Sequence, residues 1–186
     1  MKMFSSTCAV LINIIVDGTT HSQRAEADFA YEALTSFEFV FILHMMKEIM
    51  EITDLLCQAL QRQSQDILNA VDLVSSTKAL IQNLRDVGLD ALFAKVKSFC
   101  DARNINIPDM DAPYVVRRGR ARQQKQDEFT IKHHYRVNIF YAAIDSQLQE
   151  LNRRFSENTM ELLILSQLYI LDFHMSLLKL TTFASW

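Results

Sequence analysis

The sequence predicts an all-α fold, an irregular multi-helix bundle interrupted by one long basic loop at about residues 104–128. The first observation behind this is the scarcity of chain-reversing residues: 186 residues contain only three Gly and two Pro, too few for the turns of a sandwich or barrel. The second is period, because apolar side chains recur every three or four residues over most of the chain. The third is content: at 49% hydrophobic residues the chain can bury a sizeable core within one domain of ordinary size.

The elements follow in order. Phe4 to Val16 suits a helix ending at Asp17-Gly18, with a turn in DGTTHSQ. Arg24 to Leu34 is rich in Ala and Glu and continues as helix. Thr35-Ser36 then offers hydroxyls that cap a longer helix, in which Phe37, Phe41, Met45, Ile49, Ile52, Leu56 and Leu60 share one face. Ile67, Val71, Val74, Ile81 and Leu84 keep the period as far as Gly88, read as a helix stop. Leu89, Leu92, Phe93, Val96, Phe99 and Cys100 form a further amphipathic helix.

The period then breaks. Asn104 to Glu128 holds both prolines and reads as a loop of a length that commonly carries function. Helicity resumes near Phe129, with Val137, Tyr141, Ile144, Leu148, Leu151 and Phe155 on one face. A last helix is expected near Asn158, with Glu161 completing a capping box. The organisation is therefore an N-terminal helical part over 1–103, the basic loop or linker over 104–128, a C-terminal helical part over 129–170, and an atypical tail over 171–186.

Chemistry is sparse. Cys8, Cys57 and Cys100 are an odd number, widely spaced and without a CxxC pair, as expected of reduced thiols. Adjacent His133 and His134 diverge by about 100° on a helix and cannot share one ion. His44, in register with Glu48 and Glu51, is expected on the surface, and Met45 and Met46 are expected in the core. Asp109 and Asp111 beside Pro108 suit turn formation. No serine nucleophile elbow or phosphate-binding glycine loop occurs, so the expectation is no catalytic residue, metal, cofactor or small-molecule substrate.

The start, MKMFSSTCAVLINIIVDG, has the outline of a signal peptide, but Ser5, Ser6, Thr7 and Asn13 interrupt its apolar run and no small-residue cleavage site follows. No window reaches the ~20 apolar residues of a membrane span. An intracellular, non-secreted chain without a membrane partner is expected.

Three segments carry a family resemblance: QRAEADFAYEALTSFEFVFILHMMKEIMEITDLLCQALQRQSQDILNAV, STKALIQNLRDVGLDALFAKVKSFCDARNINIPDMDAPYV, and HHYRVNIFYAAIDSQLQELNRRF. They resemble the plant hAT-transposase-like proteins, often called zinc finger MYM-type-like proteins, from about Met3 to Leu165. The resemblance rests on the order of SFEFV, TDLLCQALQ, IPDM, a basic loop and IDSQLQELNRRF. It implies the large helical insertion of an RNase H-like transposase domain. Such a domain carries its acidic catalytic residues on metal ions outside the insertion, so no residue here matches a catalytic position. After LLILSQL the chain departs from the family pattern and reads LYILDFHMSLLKLTTFASW, as a change of reading frame would produce.

What the resemblance implies about function is a truncated, non-catalytic transposase relic of helical insertion only, acting by contact. Its expected partners are DNA through the basic loop, and self-association or a related transposase-like protein; a helical interaction or dimerisation module is the alternative. The stretch YVVRRGRARQQKQ concentrates Arg117, Arg118, Arg120, Arg122 and Lys125 in a chain of net charge -3. Cations there can replace counterions on phosphate, but a Gly-containing loop cannot hold side chains rigidly against base edges. Weak, sequence-independent nucleic-acid contact is expected of those five residues. RRGRARQQK also has the composition of a nuclear import signal, so nucleus or cytoplasm is the expected compartment.

Overall fold

The computed structural model describes residues 2–61, 67–115, 129–162, 164–166 and 168–169. The fold is all-α. Its elements are α1 (Lys2–Asp17), α2 (His21–Leu34), α3 (Phe37–Leu60), α4 (Ile67–Asp101), α5 (Ile131–His134), a π-helical segment (Tyr135–Tyr141) and α6 (Ala142–Arg154). Helical residues follow at 157–162, 164–166 and 168–169. No helix among the described residues is long and apolar enough to cross a membrane.

The helix starts are set by hydroxyl side chains. Thr20 accepts a hydrogen bond from the Gln23 N–H at 3.2 Å and so begins α2. Ser36 does the same for the Phe39 N–H at the start of α3, as its position predicts. For the last helical stretch the cap is Ser156, which accepts from the Thr159 N–H at 3.3 Å, and not Asn158. Asn158 itself is helical and exposed. Between α1 and α2 the chain reverses at Gly18, whose N–H reaches the Ile14 carbonyl at 2.9 Å. A Cβ there would lie 2.5 Å from that same oxygen, so only glycine fits.

Gly88 does not stop a helix: α4 runs through it from Ile67 to Asp101. Glycine costs a helix interior about 1 kcal/mol relative to alanine, less than burial of neighbouring Leu84, Leu89 and Leu92 returns. The true stop is Asn104, in the left-handed region at φ 53°. The Asn104 N–H reaches the Asp101 carbonyl, and the Ile105 N–H reaches the Cys100 carbonyl at 3.0 Å. That is a Schellman ending, and both Ile105 and Cys100 are buried.

Two compact units divide the chain. The first comprises Met1–Glu48 and Val87–Phe140. Its core gathers Phe41 against Phe93 (ring centroids 5.1 Å) and Tyr135 (4.9 Å), with Phe37 edge-on to Tyr135. Phe4 and His44 both meet Phe99 edge-to-face, and Arg103 lies over the Phe99 ring at 3.7 Å. His44 is thus a core residue with 7% exposure, contrary to the surface position its polar neighbours suggest. It is tolerated there because its Nδ1–H donates to the Val40 carbonyl at 2.8 Å. Met45 is in the core, whereas Met46 is 40% exposed. Lys95 pairs with Glu48.

The second unit comprises Ile49–Asp86 and Tyr141–Trp186. Leu56, Val74, Ile81 and Ile144 are buried in it, while Leu60 is half exposed despite sharing the expected apolar face. The Arg85 guanidinium holds both Asp145 oxygens, at 2.5 and 3.1 Å, and covers the Tyr141 ring at 4.8 Å. Lys78 donates to the Phe155 carbonyl at 2.8 Å, satisfying one of the acceptors that α6 leaves at its end.

The π-helical segment changes which residues face inward. A regular helix would bury Val137 together with Tyr141, but Val137 is 38% exposed. The wider π turn instead buries Tyr135 and Phe140, five positions apart, and Ile144 four further on.

Candidate nucleic-acid interface

Arg117, Arg118, Arg120, Arg122 and Lys125 lie outside the described residues. What is described is the stem from which that segment departs and to which it returns. Ile105 anchors the outgoing chain in the core of the first unit. A turn follows, in which Asp109 accepts from the Asp111 N–H through its carboxylate and from the Ala112 N–H through its carbonyl. Asp109 therefore has the turn role its position beside Pro108 predicts.

The outgoing and returning chains then pair. Pro113 and Thr130 form an antiparallel bridge. Tyr114 N–H donates to the Phe129 carbonyl, Ile131 N–H to the Ala112 carbonyl and Lys132 N–H to the Met110 carbonyl, each at 2.9 Å. Thr130 also caps α5 by accepting from the His133 N–H. The segment carrying the cations is thus closed at its base by a short hydrogen-bonded ladder that reaches neither the length nor the pairing of a sheet.

Aromatic rings occupy this stem. Tyr114 lies flat on His134, with centroids 3.9 Å apart and 12° between planes. Phe129 is nearly parallel to Tyr114 at 5.4 Å, and His133 tilts against Phe129 at 5.5 Å. Asn138 donates its side-chain amide to His134 Nδ1 at 3.0 Å, which fixes that imidazole as an acceptor on the Nδ1 side. Burial holds the His134 pKa below its ordinary value, with the Glu38 carboxylate opposing that shift.

Beside the stem is a cleft of about 340 Å³ lined by Asp90, Phe93, Lys97, Met110, Asp111 and Lys132. With a pair of aspartates facing a pair of lysines it is charge-balanced. Among the described residues no group of three or more His, Cys, Asp or Glu side chains could hold a metal ion.

Composition alone identifies the cations, but not the aromatic stack. Tyr114 and Phe129 are fifteen positions apart and become neighbours only once the chain pairs across Pro113 and Thr130. The available signal was their placement at the two edges of the charged stretch, APY before it and EFT after it.

No protein-family model matches the chain, and no solved structure matches it.

Proposed function

We propose that this chain is a non-catalytic helical module of the kind found as the insertion in hAT transposase-like proteins, and that it contacts nucleic-acid phosphates weakly and without sequence preference through Arg117, Arg118, Arg120, Arg122 and Lys125. The observation that supports this reading best is the closed stem. Hydrogen bonds between Tyr114 and Phe129 and between Ile131 and Ala112 tie both ends of the basic segment to a folded core. Tethering at both ends reduces the conformational entropy lost when the cations meet a phosphate backbone. Phosphate contacts position a protein on nucleic acid but read no sequence. In this reading the module lies in nucleus or cytoplasm, and DNA is the partner its family resemblance favours.

The test compares the chain with a variant in which all five cations are alanine, titrated against a labelled duplex and a scrambled duplex. Equal, weak binding to both by the parent chain and none by the folded variant supports the proposal. Strong preference for one duplex, or binding that survives in the variant, contradicts it.

A second reading, a helical interaction or dimerisation module, is favoured by one observation in the first unit. Phe39, Ile42, Leu43 and Met46 form an apolar stripe on α3, each 36–40% exposed, on the side of the helix away from Val40, Phe41 and Met45. Exposed stripes of this kind mark partner surfaces. Light scattering on the purified chain separates the readings: a defined dimer supports this one and a clean monomer removes it.

A further inference from the structure

We infer that Tyr114 and Phe129 form a stacking platform for an unpaired nucleobase, so that the nucleic acid this chain takes is single-stranded. The inference rests on the nucleic-acid reading above and narrows its ligand.

The geometry of three rings carries it. His134 covers one face of Tyr114 at 3.9 Å, and Phe129 is 5.4 Å from Tyr114 and 6.5 Å from His134, with 12° to 18° between all three planes. Were Phe129 on the face of Tyr114 opposite His134, the two outer rings would be separated by nearly the sum of the other distances. The measured separations instead put them at roughly a right angle about Tyr114, so Phe129 is displaced sideways. The second face of Tyr114 carries no described ring, and it continues laterally toward Phe129 as an apolar surface of near-parallel rings. Both side chains are partly exposed.

This surface is held in place before any ligand arrives. The Tyr114 N–H is bonded to the Phe129 carbonyl, the imidazole beneath is fixed by Asn138, and Thr130 caps the helix that carries His134. A preoriented ring loses little entropy on stacking a base. In sequence, Tyr114 and Phe129 border the stretch bearing Arg117, Arg118, Arg120, Arg122 and Lys125, and exposed Lys132 and Arg136 flank His133 and His134. Aromatic faces beside a run of cations are what single-strand binders combine, because every base offers a π-face and every nucleotide a phosphate. In a duplex those base faces are covered by their neighbours, so a stem platform adds nothing to duplex binding.

The test is a titration of the full chain with labelled oligothymidylate and oligouridylate of roughly 15 nucleotides and a duplex of similar length. Expected is binding of both single strands, comparable to each other, about tenfold tighter than of the duplex. Tyr114→Leu keeps apolar volume over His134 but removes the π-face, and should lower single-strand affinity about tenfold while leaving duplex affinity unchanged; Tyr114→Phe should retain it. Phe129→Leu gives an independent reading should Tyr114→Leu disturb the stem, as judged by circular dichroism. Equal affinity for duplex and single strand, binding of one sugar type only, or folded leucine variants with unchanged single-strand affinity would each overturn the platform while leaving phosphate binding intact. Absence of binding to all three oligonucleotides would overturn the phosphate reading itself and the platform with it.

Discussion

Tyr114 and His134, one before and one after the charge cluster in sequence, lie face to face with 3.9 Å between ring centroids. The contact removes water from one side of the imidazole, and Asn138 occupies its Nδ1 lone pair from another. Burial favours the neutral ring, and the Glu38 carboxylate opposes it. His134 should therefore titrate below the ordinary histidine range in an NMR pH series, while Tyr114→Ala moves it back toward that range by re-admitting water. The sign for stability follows: a depressed folded pKa means the contribution is present above the unfolded pKa and is lost as pH falls through the folded one. An unshifted His134, or one unmoved by Tyr114→Ala, would contradict the stacked stem.

Continuity of α4 predicts opposite outcomes at two positions. Gly88→Ala should stabilise the chain by about 0.5–1 kcal/mol, since Gly88 is in a helix interior without positive φ. Asn104→Val should destabilise it by roughly 1–2 kcal/mol, because a β-branched residue resists the left-handed backbone that Asn104 adopts. Urea denaturation of both variants measures this. A destabilising Gly88→Ala would argue that α4 breaks at Gly88.

Most of the helical layout was legible because it depends on local signals. Thr35-Ser36 capping, the apolar period through Phe37, Phe41, Met45 and Ile49, and the end of α1 before Gly18 require only neighbouring residues. Gly88 misleads because a glycine says that a helix can stop, whereas burial of Leu84, Leu89 and Leu92 decides that it does not. His44 misleads because Glu48 and Glu51 share its side of the helix in projection, while Phe99 from a distant segment covers it. The π turn at Tyr135–Tyr141 and the Tyr114–Phe129 pairing leave no periodic mark at all. Of the candidate site, the cations were legible from charge density and the stem was not.

Tyr135 supplies an alkaline test of the first unit's core. Burial, with Glu38 and other nearby groups adding to it, pushes its phenol from 10 up to about 12. The unfolded chain releases that proton first, so the associated stability is complete below pH 10 and drains away as pH rises toward 12. Urea midpoints measured across this window should fall by the equivalent of about 2–3 kcal/mol. Tyr135→Phe should flatten the dependence. A Tyr135 phenol that ionises near pH 10 in the folded chain, read by ultraviolet difference absorbance, would show that the ring is not packed among Phe37, Phe41 and Phe93.

The central claim, phosphate contact through the five clustered cations, is tested most directly by salt dependence. Each neutralised duplex phosphate adds about -0.9 to the slope of log affinity against log salt, so replacing Arg117, Arg118, Arg120, Arg122 and Lys125 by alanine can remove at most about 4.5 from the parent slope. The measurement is that slope for parent and variant on one labelled duplex over several salt concentrations. A clearly salt-dependent parent, no steeper than about -4.5, and a folded variant without measurable binding at any of these salt concentrations is the predicted result. Salt-insensitive binding by the parent, or identical slopes for the two chains, would contradict it.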